Sequence, residues 1–342
     1  MTDENSRSLI PGPSHEVAVR VPARSRILGE MVEEMLALGR AEAVPQTTAR
    51  FRIGDYTWCQ PDYRQILLWA EALKVEPARL IEKLIAGEES EEVATRFHDG
   101  RILSLSWNLN ELPLSDFRSV EGVALEKLRL YKHGGAGLTK EKRCAIITLH
   151  LASLRFLDCG ASGIGALNLS GVPNLTHISC ISNHLTELDL SNVPNLTKIY
   201  CIGNRLTDLD ISHVPNLAML SCSWNCLTEL DLSCVPNLRA LFCDSNRLKE
   251  LDLSHVPNIT RLCCQNNHLT TLDLSHVPNT ATLLCSGNQL TKLDLSHVLN
   301  LTSLICGRNQ LVQLDIRPLR SLEVVDYDAG RTRLIQRPDQ NF

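Results

Sequence analysis

The chain has 342 residues, more than a typical compact domain holds, so two units or one elongated repeat array are the natural organisations. Hydrophobic residues make up 44% and charged residues 21%, too apolar for wholesale disorder, and aromatics at 4% leave the core to Leu, Val, Ile and Cys. The formal charge of −5 is mild and argues neither for an electrostatic nucleic-acid binder nor for an acidic tail.

Residues 1–21 read as a disordered tail, polar and broken by Pro11-Gly12-Pro13. They lack the basic start and apolar stretch of a secretory signal, and no run of about 18 apolar residues occurs anywhere. A cytoplasmic, membrane-free protein is expected, with signal-less export left open. Residues 22–95 read as a helical domain. Met31, Met35, Leu36 and Leu38 fall near helical spacing, as do Tyr63, Ile66, Leu67, Ala70 and Leu73, and Pro77 opens a further short helix ending near Gly87.

The segment from Arg52-Ile-Gly-Asp through Pro61 to Ile66–Ile81 resembles the closing helices of phage-repressor-type helix-turn-helix domains over about thirty residues. That family needs a recognition helix before them, and here Glu42 to Phe51 is short and carries Pro45. Between Pro22 and Leu84 nine Lys and Arg balance nine Asp and Glu, so no basic footprint marks a DNA reader. The segment reads as a structural cap or dimerisation element, with a DNA-contacting regulator as the alternative. Residues 96–153 hold two degenerate repeats, Ile102–Leu114 and Leu125–Leu130, and a glycine-rich stretch at Gly134–Gly137; they read as a divergent cap.

From 154 to 335 one 21-residue unit recurs, in shorthand LxxLxCxxNxLTxLDLSxVPN. Cys159, Cys180, Cys201, Cys222, Cys243, Cys264, Cys285 and Cys306 fill one slot, so they read as buried reduced thiols rather than bridges. Asn recurs from 183 to 309, with Ser162 in the first copy, and suits an interior amide ladder. One coil cannot enclose a core, whereas stacked coils make it continuous. Thr280 in a leading Leu slot and Leu299 in a Pro slot are single departures. Residues 336–342 read as a C-terminal tail after the polar finish of Arg331, Arg333 and Arg337.

This unit resembles the leucine-rich-repeat family, in particular its short bacterial class with Cys in the strand, over more than half of the chain. The resemblance implies an α+β protein: a solenoid of short parallel strands with an N-terminal helical cap, binding a protein partner on its concave face. Alternation along the strands turns Tyr200, Phe242, Leu284 and Ile305 outward in one column, and Ile181 and Ile202 in the next, with Trp224 one residue further. These seven residues are the candidate partner-binding site, because clustered apolar surface marks contact sites and aromatics anchor them. Covering by the helical front end, or a merely β-prone pattern, is the competing account.

His213, Cys234, His255, His276 and His297 form another column, but ladder side chains run parallel where a metal needs converging ligands. The Asp column, 189 to 315, suits turn hydrogen bonds rather than calcium. No metal, cofactor or catalytic residue is expected. The serine elbow, Cys-His motif, zinc-binding His pair and dinucleotide fingerprint are all missing. The leading reading is a non-enzymatic protein–protein interaction scaffold, monomeric or weakly dimeric. The alternatives are the DNA-contacting regulator with a repeat sensor, and a bacterial effector module acting on a host protein.

Overall fold

A computed structural model describes residues 50–53, 55–85, 96–98, 101–109, 112–120, 122–131, 145–340 and 342, with the two-residue strand β1 (Glu16–Val17). The helical periodicity at Met31–Leu38 and the glycines at 134–137 lie outside the described residues. The chain divides into two compact units, residues 1–105 with 119–124, and residues 106–118 with 125–342.

In the first unit β2 (Arg50–Ile53) and β3 (Tyr56–Cys59) form an antiparallel hairpin in which Phe51 faces Trp58, and β1 pairs with β2 in parallel. A hairpin, not a helix, therefore leads into α1 (Gln60–Leu73) and α2 (Pro77–Ile85). Pro61 opens α1 where its missing N–H costs nothing, and Lys74, left-handed at φ 55°, closes it. Tyr63, Ile66, Leu67, Trp69 and Ala70 of α1 and Leu80, Ile81 and Leu84 of α2 are buried, and Tyr63 stacks on Phe51 with centroids 4.8 Å apart. The buried Asp62 carboxylate accepts the Ile102 N–H at 2.8 Å and lies 2.7 Å from Arg101 Nε. Burial raises its pKa against the pull of both partners. This clasp joins α1 to β5 (Arg101–Asn108), which follows β4 (Arg96–His98) as an antiparallel hairpin.

The second unit is a β-solenoid. Its strands are β6 (Asp116–Arg118), β7 (Lys127–Tyr131), β8 (Ala145–His150), β9 (Phe156–Asp158), β10 (Ile164–Asn168), β11 (His177–Ser179), β12 (Lys198–Tyr200), β13 (Met219–Ser221), β14 (Ala240–Phe242), β15 (Arg261–Cys263), β16 (Thr282–Leu284), β17 (Ser303–Ile305), β18 (Gln313–Asp315), β19 (Val324–Asp326) and β20 (Arg333–Ile335). Ten of them run side by side in parallel, from β7 through β9 and β11–β17 to β19. The register is unbroken: Leu128, Leu157, Ile178, Ile199, Leu220, Leu241, Leu262, Leu283, Leu304 and Val325 are successive partners.

The second half of the repeat echoes the first in sequence but is a strand only near the ends, where β10, β8 and β6 form one parallel sheet and β18 and β20 another. In the central coils the Asp side chain accepts the N–H two residues on, as Ser212 N donates to Asp210 Oδ1 at 2.9 Å, and the chain turns instead of extending.

Each coil buries its Leu, Ile, Val and Cys positions almost completely; in one coil Leu196, Ile199, Cys201, Leu206 and Val214 are fully covered. The Asn ladder locks coil to coil. Asn225 Nδ2 donates to Cys201 O and Cys222 O, both at 3.0 Å, while its Oδ1 accepts the Leu206 N–H at 3.0 Å. Ser162 does part of this work, donating to Leu130 O at 2.8 Å. Thr280 is tolerated in a leucine slot because its hydroxyl donates to Val277 O at 2.8 Å. At the far end Gln340 reaches Ile316 O at 3.1 Å and Leu319 O at 2.9 Å, so the last residues are drawn into the final coil rather than trailing as a tail. No helix among the described residues is long and apolar enough to cross a membrane.

Candidate protein-binding face

Three-residue strands put one side chain inside and two outside. In β12 Ile199 is buried, and Lys198 and Tyr200 point out; Cys201 then turns in and Ile202 out. Parallel pairing places Ser179, Tyr200, Ser221, Phe242, Cys263, Leu284 and Ile305 in one row across adjacent strands. At about 4.8 Å per strand, Tyr200 to Ile305 spans roughly 24 Å. Ile181 and Ile202 are neighbours in the next row, one coil apart.

The row is half-covered by its own members. Tyr200, Phe242, Leu284, Ile305, Ile181 and Ile202 are half-buried, and the small Ser221 and Cys263 between them are buried, at 4% and 6% exposure. The Tyr200 hydroxyl donates to Met219 Sδ at 3.0 Å, which fixes the ring over the neighbouring strand. Trp224 differs from the rest: it is 65% exposed. It also occupies a left-handed position, φ 56°, that recurs at Ala161, Ser182, Gly203, Ser245, Asn266, Gly287 and Arg308. A bulky residue there costs about 1 kcal/mol relative to Gly. The coil geometry imposes that conformation in each of these copies; nothing in the fold demands an indole.

Polar groups surround the row. Ser223 Oγ donates to Asp244 Oδ1 at 2.6 Å, and Gln265 Nε2 to Ser286 Oγ at 2.8 Å. Near the start of the ladder Phe156 stacks on His177 at 6.1 Å, and burial, with Lys198 beside it, lowers the His177 pKa. Sequence reasoning missed Met219, the Phe156–His177 pair and the left-handed slot; Gly203, Asn266 and Gly287 sharing one column was the available signal for the last.

The turn-side ladders are built differently. His213, His255, His276 and His297 are exposed, as is Cys234. Ser212 Oγ lies 3.0 Å from His213 Nδ1, and Asp210 Oδ2 lies 3.7 Å from that same nitrogen. A catalytic triad uses the two ring nitrogens for different partners, so this exposed trio is a turn and not a relay. The hydroxyl and N–H of Ser212 hold the Asp210 carboxyl below the usual range. Among the described residues no three His, Cys, Asp or Glu side chains are grouped to hold a metal.

The described cysteines are all free thiols, and the eight of the ladder are buried. Burial pushes their pKa values up, to about 12 at Cys222 and Cys306, so thiolate chemistry is suppressed. Cys144 lies outside the described residues.

No family model matches the sequence, and no curated protein matches it. Solved structures do match. The functional domain of InlJ from Listeria monocytogenes, which includes a cysteine ladder, is 27% identical with a TM-score of 0.49, over 64% of this chain and 49% of that one. A leucine-rich-repeat protein of Leptospira interrogans is 22% identical with a TM-score of 0.47, over 63% and 56%. The chain thus spans about half the length of these two. Toll in its complex with Spätzle, from Drosophila, is 20% identical with a TM-score of 0.51, over 63% of this chain and 33% of that one. The chain is a parallel-strand solenoid, and its structural neighbours are leucine-rich-repeat proteins.

Proposed function

We propose that the chain is a non-catalytic scaffold that holds a protein partner against the sheet-bearing face of its solenoid, the face the resemblance describes as concave. One observation carries this reading. Trp224 stands 65% exposed in a left-handed turn, beside the row of Tyr200, Phe242, Leu284 and Ile305. A large exposed indole on a strained backbone position stabilises nothing within the coil, and aromatics of this kind anchor interfaces. The half-buried row behind it offers a shallow apolar floor, with Ile181 and Ile202 extending it toward earlier coils. Buried, high-pKa thiols and exposed turn histidines support the non-catalytic part of the reading.

The test is affinity capture from native lysate, with nuclease treatment and a Tyr200→Ala/Trp224→Ala/Phe242→Ala triple variant in parallel. A protein retained by the wild type and lost from a folded triple variant is the expected result. Capture that survives the triple change but not nuclease would move function to the N-terminal unit and end this proposal.

A further inference from the structure

The charges bordering the sheet face are arranged asymmetrically. At the start of the strands stand Arg155, Lys198, Arg239 and Arg261, and none of them makes an ion pair among the described residues. Two acidic groups of the face, Asp158 in the row itself and Asp244 beyond it, are engaged internally. Asp158 lies 3.6 Å from Arg129 and also accepts the Gly160 N–H, and Asp244 accepts the Ser223 hydroxyl at 2.6 Å. Along the central coils the strand starts thus carry unpaired cations, while Asp244 beyond the row is already satisfied; Asp326, paired with Ile305 at the end of the row, is exposed.

The chain as a whole carries −5, and the turn side of the same coils is acidic: Asp208, Asp210, Glu229 and Asp231 line one shallow depression there. Lys198, Arg239 and Arg261 therefore lie at the strand starts beside the apolar row, away from that acidic depression. Spacing matters as well. Lys198 precedes Tyr200 by two residues and Arg239 precedes Phe242 by three, so cation and ring are separated by roughly 7–10 Å along the strand. A segment lying across the strands meets both rows at once.

We infer that the partner segment taken by the sheet face is an acidic amphipathic peptide, its apolar side chains on the Tyr200–Ile305 row and its carboxylates facing Lys198, Arg239 and Arg261. This rests on the sheet-face reading above and adds the chemistry of the occupant. Carboxylates give complementary charge and a pairing geometry that guanidinium groups favour. Trp224 lies on the far side of the row, so the indole and the cations flank the peptide.

The test uses the full chain and a phage-displayed library of random 12-residue peptides, followed by binding of the enriched peptides as free synthetic ligands. Enriched peptides are expected to combine apolar residues with two or more Asp or Glu. Their affinity should fall about tenfold in the Arg239→Glu/Arg261→Glu variant and on raising salt, stay near wild type with Arg239→Lys/Arg261→Lys, and be unaffected by Asp208→Asn/Glu229→Gln on the turn side. Both pairs are exposed, so folding is preserved and circular dichroism checks it. Peptides that are neutral or basic yet lost on Trp224→Ala would overturn the inference and leave the sheet-face reading standing. Enrichment of peptides indifferent to both Trp224→Ala and the charge reversal would overturn both. A mass above the 38.1 kDa of one chain, reduced to it by the same charge reversal, would assign the cations to a second copy and also overturn the acidic peptide.

Discussion

Along the turn side of the coils, Asp189, Asp210, Asp231, Asp252, Asp273 and Asp294 do one job six times, each accepting the N–H of the Ser two residues on at 2.8–2.9 Å. Along the sheet face the equivalent copies hold Ser179, Tyr200, Ser221, Phe242, Cys263, Leu284 and Ile305, with size and polarity changing from strand to strand. Both columns belong to the same coils and share the 21-residue period. The turn column is uniform because each turn presents the same geometric demand. The sheet column is free to vary because its side chains point away from the coil and answer to no internal neighbour beyond the adjacent strand. A column that varies while its backbone does not is where a repeat protein can encode a partner.

The comparison breaks first at the interior that both sides share. The ladder thiols are held protonated by burial, above the ordinary value of 9.0. Once pH passes 9 the unfolded chain releases these protons and the folded chain does not, so the unfolded state binds fewer protons and stability falls as pH rises. Each thiol costs up to about 1.4 kcal/mol per pH unit in that window. Thermal melts should be flat with respect to these groups below pH 8 and collapse between pH 9 and 11. A melting temperature unchanged to pH 11 would remove the buried-thiol account.

Asn225→Ala comes next. It strands the Leu206 N–H in the core and takes one of two amide donors from each of the Cys201 and Cys222 carbonyls, which keep Asn204 and Asn246. At about 1–3 kcal/mol for the one orphaned group the loss should be about 2 kcal/mol, read as the midpoint of urea unfolding.

Trp224→Gly should separate the two sides. Partner affinity is expected to drop at least about tenfold, while stability rises by up to about 1 kcal/mol as the left-handed strain is relieved. A loss of stability together with unchanged capture would mean the indole is structural.

The smallest effect belongs to Asp210→Asn, which keeps the turn acceptor but removes the charge. The Ser212 hydroxyl and N–H depress the Asp210 pKa, so its stabilising contribution is present above pH 4 and lost as pH falls through the lowered value. The variant should melt slightly below wild type at pH 7, and the difference should close as pH falls below 4.

Much of the fold was legible because period and polarity are written directly in the chain. The Cys, Asn and Leu columns, the reduced thiols, the turn-accepting Asp and the α1 and α2 helices all follow from spacing and residue type. The strand halves were harder. LTxLDL reads like LxxLxC, yet in the central coils the Asp carboxylate captures a backbone N–H and the segment turns. In the N-terminal unit the residues before α1 lack any periodicity, and the β2–β3 hairpin with Phe51 on Tyr63 became visible only in space. The Asp62–Ile102 clasp joins residues forty apart in sequence, which no local pattern can announce.

The candidate site divides the same way. Which strand side chains face out followed from alternation alone, and so did six of the seven apolar candidates; Trp224, one residue beyond the alternation, was named for its place beside them. How far each is exposed did not, because exposure depends on the neighbours that parallel pairing brings alongside: Met219 beneath the Tyr200 hydroxyl, and small buried Ser221 and Cys263 between larger side chains. Sequence determined the repeat, the core columns and the outward rows, since these depend only on chain period and transfer of apolar groups from water. The tertiary structure alone decided that Trp224 stands clear of the surface in a left-handed turn and that Arg239 and Arg261 lie unpaired on adjacent coils, because both depend on distances between residues the chain itself keeps 21 positions apart.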